Sequence, residues 1–314
     1  MSGDFINVNK PVRRKLRSVL LHNICRECEA YFGSRNADRH FYVIRCPQDA
    51  MGLFAVINYV VWHLKRAQEL KLEPVIDWQH YPNKYFTEDG TAGKINVWEC
   101  FFEPVSGISL DEVYRSKNVR MSGGDWQADA MKEVTDKEAL ADSHSTYVKY
   151  IKLNPLMQKK LDEELARIGV NAGKVLGVKI RGTDFISSAP TDHAHVPGID
   201  DNLRIVSEKV KEWGPFDRIY LSTEDGDALR SMEQVYGERL YYTGKNTFKA
   251  DEVGAKWLGD VYESGVSDKI SDMEDYLLAT YILAHTDYLI APCVGGTVGA
   301  LRIRGGFKEM LITG

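Results

Sequence analysis

The sequence predicts an α/β protein of two Rossmann-like halves, each a parallel sheet covered by helices. Three observations predict it. Short apolar strands alternate with longer stretches of helical period, and that order requires crossover connections between parallel strands. The strand at 175–180, Val-Leu-Gly-Val-Lys-Ile, is a near-continuous apolar run, as expected of a strand buried on both faces. Polar clusters follow several strands at their carboxyl ends, where open α/β sheets bind ligands. A chain of 314 residues accommodates two medium domains. The boundary is drawn between 155 and 156, within the crossing stretch Tyr147–Ile168.

Composition narrows the class. With 44% hydrophobic and 27% charged residues the chain is that of a globular protein, and a net charge of −5 argues against a dedicated nucleic-acid binder. No apolar run reaches membrane-spanning length. Met1-Ser-Gly-Asp-Phe5 lacks the apolar core of a secretion signal. Cys25, Cys28, Cys46, Cys100 and Cys293 are odd in number and scattered, which suits reduced thiols in a cytoplasmic protein. Cys25-Arg-Glu-Cys28 is a lone pair, and zinc would need a second pair at ligand spacing.

Taken in order, the chain begins with Lys10, Arg13, Arg14, Lys15 and Arg17 interleaved with Val12, Leu16, Val19, Leu20 and Ile24. That is a basic amphipathic helix. It either packs on its own domain or makes a peripheral contact with an anionic membrane at its inner face. Phe41–Ile44 is a strand. A loop through Gly52 leads into a helix carrying Phe54, Ile57, Val60, Val61, Leu64, Ala67 and Leu70 at the 3.6 period. Pro74–Trp78 is the next strand, completing a βαβ unit. Gly52 stands at the strand-to-helix turn, where helix amides can meet an anion; a simple turn glycine is the other reading. Residues 103–145 mix Pro, Gly and charge without a readable period. Pro155 opens a helix as a first-turn proline. After the 175 strand come a helix at 201–213, a strand at 217–222, a helix at 228–236 and a strand at 240–242. A long polar loop spans 244–268. A helix at 271–285, a strand at 288–290 and a short helix at 297–303 complete the alternation.

Three strand ends in the second half carry candidate chemistry. Arg181 and Asp184 follow the 175 strand, and a guanidinium there can grip a phosphate with two prongs or pair with the Asp. Thr223, Glu224 and Asp225 follow the 217 strand; they either accept hydroxyls of a ribose or sugar, or cap the next helix. Gly295-Gly296-Thr297 follow the 288 strand and can offer amides and a hydroxyl to a phosphate, or form a plain turn. Their convergence on one sheet edge suits a nucleotide-sugar pocket. The dinucleotide fingerprint GxGxxG and the P-loop GxxxxGK[ST] are both missing, which counts against a dehydrogenase or a sugar-nucleotide epimerase. No metal-ligand spacing is present near these strand ends, so no metal is expected.

Gly177-Val-Lys-Ile-Arg-Gly-Thr-Asp184 resembles the first motif, GVHxRxTD, of the α-1,6-fucosyltransferase and nodulation fucosyltransferase superfamily. Ile219-Tyr-Leu-Ser-Thr-Glu-Asp225 resembles its second motif, and Ala284-His-Thr-Asp-Tyr-Leu-Ile290 its third. Gly52–Asn58 and Pro74–Trp78 are similar to the first-half loop, helix and strand of the bacterial members. The resemblance implies a GT-B-like fold with an interdomain cleft. It implies a metal-independent, inverting glycosyltransferase moving a sugar, with fucose the leading candidate, from a GDP-sugar to a glycan or glycolipid. No cofactor is implied beyond that donor. Residues 1–155 would form the acceptor side and 156–314 would bind the donor. Arg181 would contact the β-phosphate, Lys179 would add charge, Thr223, Glu224 and Asp225 would lie near the nucleoside, Gly52 near the diphosphate, and Thr297 would be the nearest hydroxyl of the third motif. The chain also departs from the pattern. Lys179 replaces the motif's His, Gly182 replaces a second Arg, and Ser187-Ser188-Ala189 stand where a catalytic Glu is expected. His193, with Asp192 and His195 nearby, is the candidate general base in place of that Glu; a solvated loop is the alternative. The missing base also leaves open a non-catalytic glycan- or nucleotide-binding protein on the same fold.

Overall fold

The computed structural model describes residues 27–45, 52–81, 94–123, 130–182, 196–244 and 269–314. By its packing the chain divides into two compact units. One comprises 1–129 with 146–154, and the other 130–145 with 155–314. Residues 130–145, which a single boundary at 155 would leave in the first half, thus pack with the second unit.

The first unit holds a four-stranded sheet in the order β1-β4-β2-β3, formed by β1 (Cys28–Ala30), β2 (Arg35–Arg45), β3 (Glu73–Asp77) and β4 (Ser116–Met121). β2 runs parallel to both β3 and β4, whereas β1 pairs antiparallel with β4, so the sheet is mixed rather than wholly parallel. The inner half of β2, Phe41 to Ile44, is fully buried. Helix α1 (Leu53–Leu70) crosses from β2 to β3 and buries Leu53, Phe54, Ile57, Val60, Leu64 and Ala67, the stripe that its sequence period marks out. At the open edge of β3, Asn96 acts as a substitute strand. Its amide nitrogen donates to the Ile76 carbonyl at 2.9 Å, and its oxygen accepts from the Trp78 amide at 3.0 Å. That satisfies backbone groups that an edge strand would leave unpaired. The short helix α2 (Leu110–Val113) then leads into β4.

Helix α3 (Lys137–Tyr150) contains the division between the units, and α4 (Pro155–Ile168) opens the main body of the second. Its sheet is entirely parallel, ordered β7-β6-β5-β8-β9, from β5 (Val175–Ile180), β6 (Arg218–Thr223), β7 (Leu240–Tyr242), β8 (Tyr288–Pro292) and β9 (Glu309–Thr313). Helices α5 (Ile199–Trp213), α6 (Gly226–Tyr236), α7 (Lys269–His285) and α8 (Gly295–Arg304) make the crossovers. All six residues of β5 are buried. On one side, Leu176, Val178 and Ile180 pack with Val206 of α5 and Ala228 and Met232 of α6. On the other, Gly177 lets α7 approach, since a Cβ there would lie 2.6 Å from the Thr286 hydroxyl and 3.1 Å from the Leu283 side chain.

The chain builds outward from β5 through β6 and β7, then returns to lay β8 on the other side of β5. Strand order therefore reverses between β5 and β8. In a doubly wound sheet that is the switch point, where loops part and leave a crevice at the carboxyl ends.

Candidate functional site

The residues beyond the carboxyl ends of β5, β6 and β8 gather around that switch point in the second unit. Lys179 comes first. It pairs across the sheet with Ser222 and lies within an apolar strand, so its side chain is 2% exposed. Its Nζ donates to Ser222 Oγ at 3.5 Å and stands 4.9 Å from the centre of the Tyr276 ring on α7. Burial pulls the ammonium down from 10.5 to about 8; the Glu224 carboxylate opposes that fall and the Arg181 guanidinium adds to it. Gly296, at the start of α8, closes the far side. A Cβ there would sit 2.6 Å from the Tyr276 hydroxyl and 3.2 Å from Lys179 Cε. The glycine is what lets the amino end of α8 lie next to a buried cation.

Arg181 is the first residue past β5. Its Nη1 lies 3.3 Å from Glu224 Oε1, and the Gly182 amide donates to the same oxygen at 3.3 Å. Both side chains are mostly buried, at 19% and 13% exposure, so the pair is partly shielded from water. Gly182 is held close to the β6 end: a Cβ on it would come within 2.8 Å of the Asp225 Cβ. The second Arg of the related motif would have no room there.

Asp225, Thr223 and Thr297, singled out from the sequence, all make bonds within their own turns. Asp225 is 2% exposed and is the N-cap of α6, accepting the Asp227 amide at 2.8 Å and the Ala228 amide at 3.1 Å. These two bonds are those of a helix cap. Thr223 Oγ1 accepts the Asp225 amide at 3.1 Å and so shapes the same turn. Thr297 is wholly buried. Its hydroxyl donates to the Pro292 carbonyl at 2.6 Å and its amide to the Val294 carbonyl at 2.9 Å, so neither is left to donate to a phosphate. Gly52, in the first unit, is the N-cap of α1 with φ −64°, and an added Cβ would meet nothing within 4 Å; no conformational or close-contact demand singles out glycine there. Asp184 and His193, like Thr183, Asp192 and His195, lie outside the described residues, as does the basic stretch 10–24.

Sequence reasoning missed Tyr276 and a polar cluster in the first unit. Tyr276 belongs to a helix that was read correctly, but nothing in its spacing says that its ring would cover Lys179. The other cluster surrounds the carboxyl end of β3 and takes in Tyr114, which precedes β4. Asp77 is fully buried; its Oδ1 accepts the Gln79 and His80 amides at 3.0 and 2.9 Å. Its Oδ2 meets His80 Nδ1 at 2.9 Å and the Tyr114 hydroxyl at 2.5 Å. Burial, and then the Asp77 carboxylate, raise the Tyr114 phenol well above its usual range, so it stays a donor. The signal available was an Asp ending a strand, with a His three residues on.

Among the described residues no group of three or more His, Cys, Asp or Glu side chains is arranged to hold a metal ion, and no helix is long and apolar enough to cross a membrane. No protein-family model matches the sequence, and no curated protein matches it either. Solved structures do match in fold. The fucosyltransferase NodZ from Bradyrhizobium superposes with a TM-score of 0.50 at 13% identity, over 83% of this chain and 92% of that one. A variant of Arabidopsis thaliana FUT1, solved in complex with GDP, superposes with a TM-score of 0.50 at 9% identity, over 96% of this chain and 74% of that one. The chain is a mixed α/β protein with the GT-B fold of these fucosyltransferases.

Proposed function

We propose that the protein is a glycosyltransferase that uses a GDP-sugar, with the second unit binding the donor and the first serving the acceptor. The observation that carries this reading is the pair of cations, Lys179 and Arg181, at the switch point of the parallel sheet beside the glycine-started helix α8. The shared fold supports it, because one protein of that fold was solved with GDP bound.

The chemistry follows from what leaves. When the bond from the anomeric carbon to the diphosphate breaks, positive charge develops on the sugar ring and negative charge grows on the β-phosphate. Fixed cations and helix amides aimed at that phosphate act where charge develops. Arg181 supplies a planar two-pronged donor on a rigid strand end, and Lys179 supplies a point charge. In this reading both together neutralise the leaving group without a divalent ion. The acceptor hydroxyl attacks from the opposite face, which inverts the anomeric configuration, and it loses its proton to a base within hydrogen-bond reach. The sugar we assign first is fucose, and the acceptor class a glycan or glycolipid.

Calorimetric titration of GDP in EDTA tests the reading. It expects saturable binding without added metal. Binding that vanishes in EDTA and returns with magnesium would contradict metal independence, and no binding in either condition would contradict the donor assignment.

A further inference from the structure

The Glu224 carboxylate lies over the donors at the carboxyl end of β5. Its Oε1 lies on the Arg181 Nη1 and on the Gly182 amide, each at 3.3 Å, and those are two donors that an anion at this strand end would use. Lys179 feels the same carboxylate electrostatically. Nor is Glu224 held in place by the cap of α6, which Asp225 forms with its own carboxylate. Among the described residues, the site thus brings two cations together with the Glu224 carboxylate, which lies over one of them.

We infer that Glu224 is an internal anion that occupies the phosphate subsite of the unliganded protein and must be displaced when a diphosphate binds. This rests on the glycosyltransferase reading for the identity of the ligand, but not for the displacement itself. Two cations packed beside a partly buried strand end repel one another, and a resident carboxylate lowers that cost while the site is empty. An incoming diphosphate brings more negative charge and more acceptor atoms than one carboxylate, so it wins the same donors. The carboxylate then sets a threshold. Anions with a single weak charge do not displace it, and a diphosphate does. It is a selectivity device for the leaving group rather than a group that touches the sugar.

The alternative role for the same contacts is positioning: Glu224 would hold Arg181 in the orientation in which it meets phosphate. The two roles predict opposite signs. Glu224→Gln keeps the shape and an oxygen for the Gly182 amide but removes the charge. If Glu224 competes, inorganic pyrophosphate should bind the variant at least about fivefold more tightly than the parent, since an exposed ion pair is worth up to about that factor and this one is partly shielded from water. Inorganic phosphate should gain by at least as much in relative terms.

The experiment is calorimetric titration of parent, Glu224→Gln and Glu224→Asp with pyrophosphate, phosphate and GDP, next to a thermal melt of each. Tighter pyrophosphate binding to Glu224→Gln, with a melt close to the parent, supports displacement. Glu224→Asp, which keeps the charge but draws it back from Arg181, should fall between the two. Unchanged or weaker pyrophosphate binding to a folded Glu224→Gln overturns the inference in favour of positioning, and so does failure of every form to bind pyrophosphate. If Glu224→Gln does not fold, Glu224→Asp decides by the same sign. Should pyrophosphate tighten while GDP binds no form, the displacement stands and the GDP-sugar reading fails.

Discussion

A buried Lys179 ammonium costs stability, and Lys179→Met tests whether that charge serves the proposed ligand binding. The ammonium is buried on β5 at 2% exposure, and burial lowers it from 10.5 to about 8. An unfolded chain keeps that proton up to about 10.5, whereas the folded protein surrenders it near 8. Below about 8 both states are protonated and the folded state carries the whole penalty of a buried charge. As pH rises from about 8 to about 10.5, the unfolded state binds the extra proton, so the penalty is removed and the protein gains stability. Each pKa unit is worth about 1.4 kcal/mol, which puts the penalty at neutral pH on the order of 3 kcal/mol. Methionine keeps an unbranched apolar stem as far as Cε and drops the charged end, so Lys179→Met should be more stable than the parent at pH 7 by up to about 3 kcal/mol. Urea denaturation at pH 7, 9 and 10 reads this directly: the variant's advantage should shrink as the pH rises. Its affinity for GDP should fall at the same time, the trade expected of a site that holds unfavourable charge for function. A variant that unfolds at a lower urea concentration than the parent at pH 7, with no pH-dependent gap, would show that the ammonium is fully compensated and the reasoning wrong.

Two further substitutions test the surroundings. Asp225→Ala removes the cap of α6 and should cost about 1–2 kcal/mol in chemical denaturation; an unchanged stability with a clear loss of GDP affinity would return Asp225 to the role of a ligand. Glu133→Gln leaves Arg302, 2% exposed and bonded to both Glu133 oxygens at 2.6 Å, without its counter-charge. The loss should be roughly 3–5 kcal/mol, and a melt equal to the parent's would show that the pair does not anchor residues 130–145 to α8.

How far the sequence spoke depended on the kind of signal. Helix α1 and strands β5, β6 and β8 were legible because burial on one stripe, or on both faces, dictates composition. β4 was not: Ser-Lys-Asn-Val-Arg-Met carries polar residues on its exposed side, and its neighbour β1 is only three residues long, so neither shows an apolar run. β9 is an edge strand of five residues with a charged start and was passed over for the same reason. Within the site, Lys179 and Arg181 were legible because charge at the end of an apolar strand is conspicuous. Asp225 and Thr297 stayed open to two readings because a carboxylate or hydroxyl after a strand serves a helix start as readily as a ligand, and both make helix-start bonds. Tyr276 and the Asp77–His80–Tyr114 cluster depend on contacts between elements far apart in sequence, which no local pattern reports.

The central claim is that Arg181 stabilises a departing diphosphate. The most direct measurement is the rate of GDP release from GDP-fucose in EDTA by the parent and by Arg181→Lys, with the melting temperature of each recorded. Lysine keeps the charge and loses the two-pronged geometry, so the variant should fold, bind GDP within an order of magnitude of the parent, and turn over about 100- to 1000-fold more slowly. A folded Arg181→Lys that keeps most of the parent's turnover would contradict the claim, and so would a parent that releases no GDP.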